Sequence, residues 1–126
     1  MSHVAPISLK ASTTIPAYYI VTAVTGTANT CKVAAAATDL PLGVTADTVL
    51  ETSLAIPVIF SGIAKVYFND SCASGALVAS NAAGQGVAHA SASAGSYVIG
   101  TLIGPKVEAT GTIANVLVNP FWIDLP

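Results

Sequence analysis

The sequence predicts an all-β protein: a small antiparallel β-sandwich or barrel with long loops, extended termini and at most one short helix. Short runs rich in β-branched and aromatic residues recur between Gly, Ser and Asn breaks, the pattern of a small sandwich or barrel. The two segments that could be helical are either very short or rich in Thr and Val. At 126 residues the chain makes one ordinary domain, large enough for a core without disulfides or metals.

The N-terminal stretch Met1–Ala11 has little periodicity and contains Pro6, so residues 1–16 read as an extended arm. The β-rich domain follows over 17–120, and a short tail over 121–126. Tyr18-Tyr19-Ile20-Val21-Thr22-Ala23-Val24 is a strand closed by the turn signal Thr25-Gly26. Val33-Ala34-Ala35-Ala36-Ala37 and Thr45–Ser53 are the candidate helical turns. Ile56-Pro57-Val58-Ile59-Phe60 reads as a strand whose Pro57 belongs at an edge or bulge, because proline donates no ladder hydrogen bond. Ser61-Gly62 then turns the chain into Ile63–Phe68, closed by Asn69-Asp70. Ala76–Ala79, Tyr97–Ile103 and Ile113–Val118 complete the strands. Ser80–Gly86 and Ala90–Ser96 have little side-chain mass to bury and read as exposed, flexible loops.

Leu42–Phe60 and Ile99–Leu117 align without a gap at an offset of 57, with Gly43/Gly100, Glu51/Glu108 and Ile56/Ile113 identical. Chance similarity between β-rich segments is one explanation. Internal duplication is the other, and it predicts two halves packed as related sheets.

Composition excludes several functions. The chain has 4 Lys, no Arg and 6 acidic residues, only 8% charged against 53% hydrophobic. A net charge of −2 leaves no basic footprint for nucleic acid. Disorder requires the opposite balance. So little charge points to a surface shared with other subunits, although a monomer coated in Ser and Thr has the same composition. Ala11–Cys31 and Ser71–Pro105 are uncharged and long enough to span a bilayer. Pro16, Gly26 and six Thr interrupt the first, and the second is Ser- and Gly-rich, so no transmembrane segment is expected. Met1–Pro6 lacks a basic, apolar leader pattern, so no secretory signal is expected.

Chemistry finds little to work with. His3 and His89 have no acidic neighbour in sequence, and no GxSxG, HExxH, Walker or dinucleotide motif occurs. The six carboxylates lack an aromatic sugar platform and read as solvated loop charges. Cys31 and Cys72 have no metal spacing and read as small buried hydrophobes, or as a single disulfide if the fold brings their Cα atoms within about 7 Å. No catalytic, cofactor-binding or metal-ligating residue is assigned, and the protein is expected not to be an enzyme. The ends are the candidate interface: Val4, Pro6 and Ile7 in the arm, and Phe121, Trp122 and Ile123 after a strand-stopping Pro120. An aromatic pair there either folds back on the core or anchors in a neighbour's pocket.

The order Leu40-Pro41-Leu42-Gly43-Val44, Pro57–Ala64, Ser74-Gly75-Ala76-Leu77-Val78, Tyr97-Val98-Ile99-Gly100 and Val116–Pro120 resembles the small capsid cement (decoration) proteins of tailed bacteriophages. The resemblance covers about residues 17–120; the 121–126 tail and Ala76 depart from the family pattern. It implies a β-rich virion protein, assembled in the host cytoplasm and bound as a homo-oligomer, commonly a trimer, to the major capsid protein. It would sit on the outer capsid surface and stabilise the shell. A glycan- or host-surface-binding β-sandwich and a tail structural subunit are the alternatives.

Overall fold

The computed structural model describes residues 7–12, 14–35, 39–46, 55–88, 96–108 and 111–123. They form ten strands: β1 (Ile7–Ala11), β2 (Ile20–Ala23), β3 (Thr30–Val33), β4 (Pro41–Thr45), β5 (Ala55–Ile59), β6 (Gly62–Phe68), β7 (Leu77–Ser80), β8 (Gly86–Ala88), β9 (Ser96–Leu102) and β10 (Thr112–Ile123). The described residues contain no helix. Each half closes into a five-stranded barrel, in the order β1-β3-β2-β4-β5 and then β6-β8-β7-β9-β10.

The two barrels are one design used twice. In each, the first strand runs parallel to the third and antiparallel to the fifth, and the second pairs antiparallel with the third and fourth. The fourth and fifth strands pair antiparallel in both. Register coincides residue by residue: Val21↔Gly43 recurs as Val78↔Gly100, and Val44↔Ile59 as Thr101↔Leu117. Even the irregular hydrogen bonds recur. Ser12 N–H donates to the Cys31 carbonyl as Asn69 does to Gly86, both at 2.9 Å. Tyr18 donates to Thr45 at 2.8 Å as Gly75 does to Leu102 at 2.7 Å, and both donors have positive φ, 71° and 85°.

The two halves are therefore structural repeats, with a correction to the register read from the sequence. The 57-residue offset maps β4 onto β9, but the ladder maps β5 onto β10 one residue further on, so Val58 matches Val116 and Ile56 matches Ala114. The gapless pairs Ile56/Ile113 and Ile59/Val116 are out of phase, and one residue of slip exchanges the two faces of a strand. Accordingly Ile56 is fully buried whereas Ile113 is 45% exposed.

Burial follows the pleat. In β6, Ala64, Val66 and Phe68 point inward, and in β10 Ala114, Val116 and Val118 do the same. The core of the second barrel also takes in Ile20, Ala34 and Val44 from the first. Barrel one's own core is smaller: Ala11, Ile15, Val21, Cys31, Ile56 and Val58. Ile20 and Val21 are adjacent and both fully buried, because β2 faces its own barrel on one side and the second barrel on the other. The run Tyr18–Val24 lacks alternation for that reason.

Several sequence expectations change. Part of the arm, Ile7–Ala11, is a strand paired to both β3 and β5. Val33 ends β3, Ala34 and Ala35 are not helical, and residues 36–38 and 47–54 lie outside the described residues. β5 has neighbours on both sides, so Pro57 is not on an edge strand. Its carbonyl accepts from Ala46 N–H at 3.0 Å, just past the end of β4, so the missing donor faces a point where the ladder stops. Ser80–Gly86 is an ordered hairpin turn with Ser80, Gly84 and Gly86 buried. Asn81 Oδ1 accepts from the backbone of Ala83 and of Gln85, each at 2.9 Å, and its Nδ2 donates to Gln85 Oε1 at 3.1 Å. Of the second linker, residues 90–95 lie outside the described residues and Ser96 opens β9.

Candidate interaction surface

The barrels meet through a short polar seam. Ile20 N–H donates to the Gly84 carbonyl at 2.7 Å, and Tyr67 N–H to the Tyr18 carbonyl at 2.9 Å. Gln85 Nε2 donates to Tyr19 Oη at 3.0 Å, and the Tyr19 and Tyr67 rings stack with centroids 5.6 Å apart. A Cβ at Gly84 would strike the Val33 side chain and stand 2.8 Å from the Ile20 carbonyl, so glycine sets how closely the turn approaches barrel one. Thr45, fully buried beside the seam, donates its hydroxyl to the Pro16 carbonyl at 2.7 Å and accepts from Tyr19 N–H at 3.1 Å. Buried polar groups here are satisfied, and the seam is structural.

Among the described residues no three His, Cys, Asp or Glu side chains cluster to hold a metal ion. His3 and His89 lie outside the described residues. Cys31 and Cys72 are free, buried thiols in different core clusters, and burial pushes both pKa values up, away from reactive thiolate. No helix of the described residues is long and apolar enough to cross a membrane.

Of the candidate interface residues, Val4 and Pro6 lie outside the described residues. Ile7 opens β1 opposite Val58. Phe121, Trp122 and Ile123 continue β10, opposite Val98, Tyr97 and Ser96. Pro120 does not stop the strand: the register shifts between Val118 and Phe121, and β10 runs on. Its pairing to β6 ends at Val118↔Gly62, so a two-stranded ribbon of β9 and β10 outruns the barrel. That is where proline is tolerated in a sheet.

The outer face of the second barrel is a surface that the sequence reading missed. On β6, Ile63, Lys65 and Tyr67 point outward, directly opposite Leu117, Asn115 and Ile113 of β10. Ile63 is 53% exposed and Leu117 and Ile113 are 45% exposed, with Ile103 (46%) and Phe60 (43%) nearby in the chain. Hollows of about 410 and 250 Å³ are both lined by Lys65 and Asn115. The first also takes in Tyr18, Thr45 and Ile59 of barrel one, and the second Pro105 and Lys106. The signal was present in Ile63-Ala64-Lys65-Val66-Tyr67-Phe68: the strand alternates, but Lys65 is the one charged residue of an outward set that also holds Ile63 and Tyr67.

Over the described residues, the fold and this surface define a protein of two tandem, closed five-stranded barrels with an apolar outer face. The head fiber gp8.5 N base in bacteriophage phi29 is a solved structure with this fold: TM-score 0.69 at 14% identity, covering 98% of this chain and 99% of that one. No protein-family model and no curated protein matches the sequence.

Proposed function

We propose that the chain is a non-enzymatic structural protein of a bacteriophage virion, carried on the outer surface of the head. It binds the major capsid protein as a homotrimer, and by bridging neighbouring shell subunits it stabilises the capsid. The observation that carries this reading is the end-to-end likeness to a head fiber base, which leaves almost nothing of either chain unmatched. The low charge and the small-residue surface agree with it, as does the resemblance to capsid cement proteins. Neither a cofactor nor nucleic acid nor a membrane enters the reading. The termini, with Val4, Pro6, Ile7, Phe121, Trp122 and Ile123, make contacts between neighbouring subunits.

Attachment at many sites needs little from each. Burying apolar surface contributes roughly 25 cal/mol per Å² before the losses of association, and several contacts engaged at once multiply modest affinities. The test is biochemical. The purified protein should sediment as a trimer and co-band with DNA-filled heads in a density gradient, at a stoichiometry fixed by the lattice. Co-banding with free tails instead, or a monomer that never bands with particles, overturns the proposal.

A further inference from the structure

We infer that the outward face of β6 and β10 is the surface that docks onto the shell, against a protein presenting a carboxylate to Lys65 inside an apolar contact. This rests on the reading above and names the part of the chain that carries it. The duplication supplies the comparison. Barrel one builds the same strands with Ala55 where barrel two has Ile113, Ala46 for Ile103, Ser8 for Lys65 and Lys10 for Tyr67. The correspondence is close: Ala46 N–H donates to Pro57 at 3.0 Å just as Ile103 does to Asn115 at 3.1 Å. The fold is thus completed with alanine at two of these outward sites, so Ile103 and Ile113 serve something other than folding, whereas Leu117 keeps an aliphatic counterpart in Ile59. Leu40 is the one large aliphatic residue exposed on barrel one among the described residues.

Charge decides what covers the face. Lys65 is the only charged outward residue of β6 and β10 among the described residues, and it makes no ion pair there. Glu108, two residues beyond the Lys106 that lines the second hollow, faces that lysine at 3.9 Å. Packing the face on a second copy about a two-fold axis would bring Lys65 toward Lys65 with no acid between them. A head-to-tail contact needs an extended apolar counterpart, and among the described residues barrel one exposes Leu40 as its one large aliphatic side chain. A different protein satisfies the face: aliphatic side chains seated in the hollows either side of Lys65 and Asn115, and an acidic group on the amine.

The experiment adds the purified protein to heads assembled without it by the phage that encodes it, and measures copies bound against concentration. Lys65→Glu and the double variant Ile103→Ala/Ile113→Ala, which installs the residues of barrel one, are compared with wild type. Sedimentation and thermal melting of the free proteins run alongside. Both variants should keep the wild-type oligomer and melting curve while needing at least about tenfold more protein to half-fill the heads. Lys65 is exposed, so its variant keeps the test decisive if the double variant folds poorly. Variants that fill heads at the wild-type concentration overturn the inference and leave the proposed function standing. Variants that sediment as a smaller species overturn it by making the face a contact between copies. Wild type that never attaches overturns the proposed function, and the docking face with it.

Discussion

Replacing Gly100 by alanine tests whether the duplicated glycine sets the distance between the last two strands of each barrel. A Cβ there would collide with the Leu117 carbonyl oxygen and stand 2.9 Å from its carbon and 3.1 Å from Val118 Cα. All three are backbone atoms, and β10 is held on its other side by Leu117↔Ile63 and Val118↔Gly62, so no side chain can swing away. Relief must separate β9 from β10 around Leu117↔Thr101 and Val118↔Gly100. Overpacking of this kind costs about 1–3 kcal/mol, and each weakened ladder bond adds up to about 1 kcal/mol. A total of roughly 2–4 kcal/mol corresponds to a Tm drop of about 8–16 °C for a chain this size. Gly75→Ala is the control: a Cβ there meets nothing within 4 Å, and only the φ of 85° is unfavourable. Its counterpart Tyr18 adopts φ 71° with a side chain, so the control should lose only about 1–2 kcal/mol. Reversible melts followed by circular dichroism read both. Gly100→Ala melting within about 3 °C of wild type, less than 1 kcal/mol, would refute the close-approach argument.

Other consequences are as direct. Asn81→Ala removes the acceptor for two backbone donors of the β7–β8 turn and should lower stability by about 1–2 kcal/mol in urea unfolding. Tyr19→Phe deletes the hydrogen bond from Gln85 while keeping the ring on Tyr67, for a loss of about 0.5–1.5 kcal/mol; Tyr19→Ala should cost more, and equal losses would discount the stack. Cys31 and Cys72 should resist thiol reagents until the protein unfolds, and fast labelling of the native protein would contradict their burial. Burial raises both thiol pKa values, so the folded state keeps its protons longer than the unfolded state as pH rises. Stability from these groups is therefore level below about pH 8.5 and falls above it; a Cys31→Ala/Cys72→Ala variant should lose less between neutral and alkaline pH than wild type.

The strands with strong local composition were legible: Ile20–Ala23, Ala55–Ile59, Gly62–Phe68 and Ser96–Leu102 fall on runs of β-branched and aromatic residues, and Leu77–Ser80 on a short apolar run between loop signals. β1 and β8 were not: Ile7-Ser8-Leu9-Lys10 owes its extended form to β5, far along the chain, and Gly86-Val87-Ala88 to its hairpin with β7, rather than to propensity. β3 was obscured by the alanines that follow Val33. The duplication was visible in Gly43 and Gly100, where backbone contact demands glycine, and it blurred in β5 and β10, where one extra residue in the preceding connection changes the phase. The ends of the chain drew the eye as interface candidates because Phe121 and Trp122 follow a proline. The outer face of β6 and β10 was passed over because Ile63, Ile113 and Leu117 look like ordinary core residues until the pleat assigns them outward. Sequence gives the alternation; only the closed barrel says which phase is inside.

Closure of both sheets has a bearing on solubility. A chain this rich in strand and this poor in charge lacks the usual protection of lysines along exposed edges, and open sheets would offer their unpaired amides to any neighbouring copy. Each ladder here returns to its own first strand, through Lys10↔Thr30 and Ala11↔Cys31 in barrel one and Phe68↔Gly86 in barrel two, so every strand has a neighbour on both sides. Where β10 outruns β6 and an edge does open, Pro120 has no amide hydrogen to offer. Geometry thereby takes over the task of electrostatic repulsion. With its strands closed on themselves, the protein should resist edge-to-edge association at concentrations where an open sheet of the same composition would aggregate.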